Sequence, residues 1–372
     1  MKGFSGILKT VFLLCGSVIG AGFVGGTELA EFFGENGYIY YLILSAFLFF
    51  SGFTIILLRK KKNDGLIVSA REELFTGKVF FAAEFVFCSA MLAGITEILK
   101  SFGAGGFSYL ISLAVFSVSC FLAETGKLRA DKANAALMPA VLILLNVLII
   151  TRLSSGTALN ANSEIRPSFF RGTVKTFLYV FLNVFISAPA VKEAAKENGV
   201  TSLIVAAAAC SVIIAAEAFL ILRVSEKCGT FKEPLPLLSA LKNGGSFTRF
   251  CVYVALIVAA YASFYTCLFS LRSESERISG GRTEKMAVYV LVYGFSVAGL
   301  KRIVSFVYPI FGAFGVCYVV NSLIKLVCAK GKSSKIAEIV KSRSIKNNAK
   351  AHNKLKFRFG GVIKCLKREK TR

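Results

Sequence analysis

The chain alternates between long apolar stretches and short polar clusters, and this pattern predicts its secondary structure. Each apolar stretch is near the length that a helix needs to cross a bilayer core of about 30 Å. Membrane barrel strands would alternate apolar and polar residues, and stretches such as Ala136–Ile150 do not alternate. The pattern predicts an all-α polytopic membrane protein with about ten transmembrane helices, near residues 5–33, 38–58, 78–99, 104–122, 134–152, 171–198, 200–222, 248–271, 285–300 and 303–328.

The first predicted span is interrupted by glycine. Five glycines fall within the eleven residues Gly16–Gly26. Each glycine costs a helix about 0.8–1 kcal/mol relative to alanine, so the sequence predicts local unwinding at membrane depth. The alternative is close helix packing, because Gly16 with Gly20 and Gly22 with Gly26 both fit the spacing of small residues at helix contacts.

The sixth predicted span is interrupted as well. It carries Asn183 near its centre and Pro189 after it, and Gly199 closes the short amphipathic piece that follows. Proline removes a backbone hydrogen bond and clashes with the preceding turn, so we predict two half-helices. Because the sixth span follows the first by an odd number of crossings, the pattern predicts two inverted five-helix repeats, over residues 1–153 and 170–328.

Broken helices at matching positions of two opposed halves indicate the binding site of a transporter. The freed amides at the start of a half-helix attract anions such as a carboxylate, and the freed carbonyls at its end can hold a cation. Gly20 and Gly22 would let a ligand approach the backbone, because glycine has no Cβ atom. Asn183 offers a neutral donor and acceptor at the same depth.

Positive charge is concentrated at the C-terminal end. The formal net charge is +24, and residues 330–372 hold 15 Lys or Arg against two Glu. We therefore divide the chain into a transmembrane domain, 1–328, and a basic tail, 329–372, which we expect to be attracted to anionic lipid headgroups. Lysine and arginine in the short loops, together with the tail, predict an inner-membrane protein with both termini in the cytoplasm. Nucleic acid is not an expected partner, because no recognised binding motif accompanies the charge.

Cysteine and histidine content exclude several kinds of chemistry. The ten cysteines show no metal-ligand spacing, and most lie inside apolar spans, where thiols behave as small hydrophobic groups. The only histidine, His352, lies in the basic tail. We therefore expect no metal or other cofactor and no enzymatic activity.

Acidic residues within the spans form a separate group of candidates. A charge at the bilayer centre costs about 2.5–3.5 kcal/mol on insertion scales, so such residues usually face a cavity or a partner. Glu84 and Glu217 are candidates for proton coupling, and the alternative is a buried, hydrogen-bonded glutamate near an interface. Glu28 and Glu31 lie one turn apart near the end of the first span, and we interpret them as the water-facing side of a vestibule, with gating as a further role.

Several short motifs together resemble one group of membrane proteins. The motifs are Gly16–Phe33, Met91–Gly94, Asn134 with Pro139, Tyr179 with Asn183, Glu233–Pro236 and Tyr308–Gly312. In this order they resemble the YkvI-type membrane proteins, a branch of the amino acid–polyamine–organocation superfamily with the LeuT-like fold. The likeness covers residues 1–328 and leaves the tail outside.

The resemblance implies a substrate site between spans one and six. The residues predicted to contact the substrate are Gly20, Ala21, Gly22, Asn183 and Ser187. In sodium-coupled proteins of this fold, a cation lies between carbonyls of span one and hydroxyls of span eight. The corresponding positions here are Gly16, Ile19, Ser263 and Thr266. The alternative for the two hydroxyls is a hydrogen bond to their own helix.

The predicted function is that of a secondary transporter, or permease, for a small organic solute. An amino acid is one candidate for the solute, alternating access is the mechanism, and Na⁺ or H⁺ is the coupling ion. The alternative is a membrane receptor on the same scaffold that does not transport and signals through the basic tail. An intramembrane enzyme is a third hypothesis, and the spans offer no histidine, paired carboxylates or metal cluster to support it.

Overall fold

The computed structural model describes residues 2–34, 38–62, 70–125, 130–154, 169–242, 245–278 and 282–327. Helices are the only regular secondary structure within these ranges, which confirms the predicted all-α class. The chain divides into two compact units, residues 1–322 and 323–372, and the described part of the second is 323–327. The tail predicted at 329–372 lies outside the described residues.

Two series of helices follow one another along the chain. The first comprises α1 (Lys2–Val18), α2 (Ala21–Val24), α3 (Thr27–Phe33), α4 (Tyr38–Lys62), α5 (Ala70–Leu99), α6 (Phe107–Thr125) and α7 (Ala130–Ser154). The second comprises α8 (Phe169–Ile186), α9 (Ala188–Glu197), α10 (Val200–Cys228), α11 (Pro236–Leu241), α12 (Ser246–Ile278), α13 (Arg282–Ser296) and α14 (Leu300–Val327). A π-helical turn, Lys100–Ala104, follows α5.

Eight of the described helices are long and apolar enough to cross a membrane, namely α4 to α8, α10, α12 and α14. The predicted first and ninth spans are shorter than expected, with apolar helices over Gly6–Val18 and Lys285–Ser296. The first is short because the chain there is divided into α1, α2 and α3. The ninth ends before its predicted limit of residue 300, because Gly299 adopts a left-handed φ of +87° ahead of α14.

Many large apolar side chains on these helices are exposed, as expected for surfaces that face lipid. In α7, Ile143 and Val147 are 66% and 56% exposed, while Leu145 and Ile149 on the same helix are buried. In α13, Val290 is 69% exposed. Soluble proteins rarely expose continuous apolar faces, so this distribution agrees with a multi-pass membrane protein.

The packing of the helices reflects a relation between the two series. Span one packs against span seven through α1 and α10, and span two packs against span six through α4 and α8. Span three packs against span eight through α5 and α12. Exchanging the two series converts the first pairing into the second and leaves the third unchanged. This reciprocal pairing is expected of two related five-helix repeats.

Helices α8 and α14 approach each other so closely that no side chain separates them. A Cβ atom added to Gly312 would lie 2.5 Å from the carbonyl oxygen of Leu178. A Cβ atom added to Gly315 would collide with the carbonyl oxygen of Phe181. Glycine on α14 therefore allows backbone-to-backbone packing, as small residues do at other membrane helix contacts.

We predict that Gly315→Ala lowers the free energy of unfolding by about 1–3 kcal/mol, because the added methyl group has no space. The matched control is Gly294→Ala in α13, where an added Cβ atom would meet nothing within 4 Å. The control is expected to be neutral or to stabilise by up to about 1 kcal/mol, since alanine is the better helix former. The measurement is loss of the monodisperse chromatography peak after heating in detergent. Equal melting temperatures for the two variants would contradict the prediction.

Candidate functional site

The first interruption of span one lies between α1 and α2. The amide of Gly20 donates to the carbonyl of Val18 (2.9 Å) instead of the carbonyl of Gly16. Gly20 itself is extended, with φ −104° and ψ −169°. The helix therefore stops at Val18, and the carbonyls of Gly16 and Ile19 point to partners outside their own helix.

A single side chain from span eight meets both of these carbonyls. The hydroxyl of Ser263 in α12 lies 3.0 Å from the oxygen of Ile19 and 3.3 Å from the oxygen of Gly16, and it is the donor. Ser263 is buried. The alternative of a hydrogen bond to its own helix therefore does not hold for Ser263. It does hold for Thr266, whose hydroxyl donates to the carbonyl of Ala262 (2.9 Å).

Helix α2 is held by one turn of α5. The amide of Ala21 donates to the sulfur of Met91 (3.1 Å). One turn further along, a Cβ atom added to Gly94 would lie 2.5 Å from the Cβ of Ala21. The two ends of the motif Met91–Gly94 thus have different roles. The Met91 sulfur accepts a hydrogen bond from the Ala21 amide, and Gly94 leaves room for α2.

The second interruption lies between α2 and α3, at Gly25 and Gly26. Gly26 adopts a left-handed φ of +82°, which favours glycine. The freed carbonyl of Gly25 accepts a hydrogen bond from the amide of Leu237 (3.0 Å) in α11. The hydroxyl of Thr27 donates to the carbonyl of Pro234 (2.6 Å). The Glu233–Pro236 motif therefore supports the break in span one.

Glu28 is the residue whose position we predicted wrongly. It is 0% exposed, and does not face a water-filled vestibule. Its side chain lies so close to Gly22 that a Cβ atom there would collide with it. The hydroxyl of Tyr308 in α14 donates to Oε1 (3.2 Å), and the hydroxyl of Tyr179 in α8 lies 3.5 Å from Oε2. Both tyrosines belong to motifs noted in the sequence, Tyr179 with Asn183 and Tyr308–Gly312. Their presence in these motifs was the sequence feature that could have indicated an acidic partner.

The interruption of span six is a bend and not an unwound segment. Ser187 separates α8 from α9, but it keeps helical φ and ψ angles of −71° and 0°. Its amide donates to the carbonyl of Asn183 (3.0 Å), and its carbonyl accepts from the amide of Val191 (2.9 Å). Spans one and six are both interrupted as predicted, and only span one releases several backbone groups.

Asn183 and Ser187 connect span six to the break in different ways. The Nδ2 of Asn183 donates to the carbonyl of Tyr179 (2.9 Å), while its Oδ1 is buried without a hydrogen-bond partner. The hydroxyl of Ser187 accepts a hydrogen bond from the hydroxyl of Ser17 (2.7 Å), which joins span six to α1. Ser17 was not among the predicted site residues.

The two candidate proton-coupling residues lie apart from the break. Glu84, two turns before Met91 on α5, faces Cys267 and Ser270 of α12, and its Oε2 has no hydrogen-bond partner. Glu217 on α10 accepts a hydrogen bond at Oε1 from the side-chain Nδ2 of Asn146 on α7, and its Oε2 also has no partner. Both are buried and each contacts a neighbouring span, and proton coupling at either residue stays a prediction.

Two Bacillus subtilis (strain 168) proteins are similar to this chain in sequence, and no family model matches it. The uncharacterized protein YyaD is 21% identical over 337 residues, which cover 87% of this chain and 98% of YyaD. The uncharacterized membrane protein YkvI is also 21% identical over 337 residues, which cover 85% of this chain and 95% of YkvI. The similarity to YkvI agrees with the resemblance that the motifs indicated, and assignment to the wider superfamily stays a prediction.

Solved structures of one transporter share the fold. The Eremococcus coleocola manganese transporter, in complex with an aromatic bis-isothiourea substituted compound, matches with a TM-score of 0.58 at 11% identity. That match covers 86% of this chain and 78% of the transporter. A mutant of the same transporter matches with a TM-score of 0.51 at 10% identity, covering 85% and 78%. This chain therefore has the fold of a membrane transporter.

We predict that Ser263→Ala lowers the free energy of unfolding by about 1–3 kcal/mol, because two buried carbonyls lose their donor. The control is Ser211→Ala in α10, a buried serine whose hydroxyl donates only to the carbonyl of Ala207 in its own helix (2.7 Å). Heating of both variants in detergent, followed by chromatography, measures the difference. A melting temperature of Ser263→Ala equal to that of Ser211→Ala would show that the contact between spans one and eight adds no stability.

Proposed function

We propose that this chain is a secondary transporter that binds a small organic solute at the break in span one. The observation that carries the proposal is the double interruption between Val18 and Thr27, where backbone polar groups turn away from their own helix. Non-helical backbone at membrane depth is tolerated where it is buried in protein or lines a cavity. In transporters of this architecture it forms the substrate site.

The polar groups at the break support a solute with both donors and acceptors. The predicted contacts are the backbone of Gly20, Ala21 and Gly22 together with Asn183 and Ser187. The Oδ1 of Asn183 is buried and unpartnered, so an N–H group of a solute would satisfy it. An amino acid has donors and acceptors of this kind, and it is the first class of solute to test.

Manganese is the cargo of the structural neighbour, and it is the second class of solute to test. A divalent manganese ion prefers carboxylate, carbonyl and water ligands. Within the described ranges, no group of three or more His, Cys, Asp or Glu side chains is arranged to hold a metal ion. We therefore favour an organic solute, with Mn²⁺ as the comparison.

Two sets of residues are candidates for ion coupling. The carbonyls of Gly16 and Ile19 with the hydroxyl of Ser263 converge within 3.3 Å and would form a Na⁺ site together with Thr266 on the same helix. Glu84 and Glu217 are candidates for H⁺ coupling, since each is buried with one oxygen unpartnered. The two sets predict different ion dependence and are therefore separable by experiment.

The inner membrane, with both termini in the cytoplasm, is the proposed location. Lysine and arginine in the loops and in residues 329–372 support this orientation, and anionic lipid headgroups are the proposed partners of the tail. The alternative of a receptor that does not transport depends on the same tail, which lies outside the described residues.

The test is uptake into proteoliposomes of a panel of radiolabelled amino acids, other small organic solutes and Mn²⁺, under inward Na⁺ or H⁺ gradients. We expect uptake of at least one organic solute by the wild type and its loss in Gly20→Leu. A Cβ atom at Gly20 would lie 2.6 Å from the sulfur of Met91, so leucine would fill the break. The matched control is Gly199→Leu, where an added Cβ atom would meet nothing within 4 Å, and uptake is expected to persist.

Comparing uptake under the Na⁺ gradient with uptake under the H⁺ gradient assigns the coupling site. Na⁺-dependent uptake that Ser263→Ala abolishes would assign coupling to the carbonyls of span one. H⁺-dependent uptake that is indifferent to Na⁺ would assign it to buried carboxylates. Absence of both flux and solute binding under every gradient would contradict the proposed function. Uptake of Mn²⁺ alone would contradict the proposed class of solute.

A further inference from the structure

Two pairs of carboxylate and hydroxyl groups join α3 to α14. Tyr308 donates to Oε1 of Glu28 (3.2 Å), and the hydroxyl of Ser305 donates to Oε2 of Glu31 (3.0 Å). Glu28 and Glu31 are three residues apart on one helix, as are Ser305 and Tyr308 on the other, so each pair lies one turn from the next. We refer to Glu28, Glu31, Ser305 and Tyr308 as the carboxylate ladder.

The two ends of the carboxylate ladder differ in their access to water. Glu28 is 0% exposed and packs against Gly22 inside the break. Glu31 and Ser305 line a cavity of about 150 Å³, which is large enough to hold several water molecules. The cavity is completed by Thr27, Ala30, Phe231, Lys232, Glu233, Lys301 and Val304. The carboxylate ladder therefore leads from a cavity with room for water to the buried centre of span one.

Glu28 faces the hydroxyl groups of two tyrosines. Tyr179 of α8 and Tyr308 of α14 are its hydrogen-bonding partners, and Cys267 of α12 faces Tyr308. Among the described residues, no lysine or arginine forms an ion pair with Glu28.

Two lysines near the carboxylate ladder donate to backbone carbonyls on the side of the cavity. Lys175 donates to the backbone carbonyl of Glu31 (2.9 Å), and Lys301 donates to the carbonyl of Lys232 (3.4 Å) at the cavity. A buried carboxylate without a fixed counter-charge is neutral when it holds a proton and needs a mobile cation when it does not. The arrangement of Glu28 therefore links its protonation to what occupies the break.

We propose that Glu28 is the protonation site of this transporter and that Glu31 passes protons to it from the cavity. The proposal rests on the proposed function for its role in transport, and it adds to Glu84 and Glu217 a third candidate for H⁺ coupling, one that lies at the break itself. Proton transfer is balanced: a hydronium ion in the cavity gives a proton to the Glu31 carboxylate and becomes water. Glu31 then gives this proton to the Glu28 carboxylate one turn away and is itself a carboxylate again. Tyr308 and Tyr179 orient the receiving carboxylate.

The test is infrared difference spectroscopy of the full-length protein in lipid, recorded between low and high pH. The wild type is expected to show the C=O stretch of a protonated carboxylic acid that appears as the pH is lowered. Glu28→Gln should remove this band, and Tyr308→Phe should shift its frequency because a hydrogen bond to the carboxyl group is lost. Glu31→Gln should keep the band but slow its appearance after a pH jump.

The matched control is Glu97→Gln on α5, where the native glutamate is partly exposed and paired with Lys100 (3.3 Å). This variant should leave the Glu28 band unchanged, and chromatography checks that every variant is folded. A difference spectrum that is the same in the wild type and in Glu28→Gln would overturn the proposal. Equal pH-jump rates in the wild type and Glu31→Gln would overturn the role of Glu31.

The uptake experiment and the infrared experiment can give opposite outcomes, so the two proposals are tested separately. If the wild type takes up a solute but Glu28 does not titrate, the proposed function stands and this inference falls. If Glu28 titrates but no solute is bound or moved, the proposed function falls and the proton site stands. If both hold, H⁺-driven accumulation of solute should be lost in Glu28→Gln and kept in the control Glu97→Gln.

Discussion

The requirement that every backbone amide and carbonyl inside a membrane has a partner governs this structure. An unpaired backbone group in hydrocarbon costs several kcal/mol, so an interrupted helix is stable only if other elements complete its hydrogen bonds. Span one is interrupted twice, and each interruption is completed from a different place. Ser263 serves the carbonyls at the end of α1, Met91 serves the first amide of α2, and the amide of Leu237 serves Gly25.

These partners explain why short motifs distant in sequence occur together. Met91–Gly94, Glu233–Pro236 and the two tyrosines at 179 and 308 lie on four different segments, and each contacts the segment between Val18 and Phe33. The break is thus not a local property of its glycines. The glycines permit the conformation, and side chains or backbone from spans three, six, eight and ten, with α11 and the segment before it, make it stable.

Much of the fold followed from sequence because it depends on short-range rules. Span length, glycine density near Gly16–Gly26 and the odd number of crossings between spans one and six are readable from the order of residues. The burial of Glu28 was not, because a glutamate near the predicted end of a span normally reaches water. Only the second interruption, where Gly26 adopts a positive φ, redirects α3 so that Glu28 faces Tyr308. In span six, proline indicated a break, but the helical angles of Ser187 reduce it to a bend.

The close approach of α14 to α8 has a mechanical consequence. Gly312 and Gly315 bring the two backbones together with no side chain between them, so neither helix can slide along the other without forcing them apart. Spans six and ten should therefore move together as one rigid unit. Tyr179 lies on one of these helices and Tyr308 on the other. Movement of the two helices would therefore displace both hydroxyl groups that contact the Glu28 carboxylate at the same time.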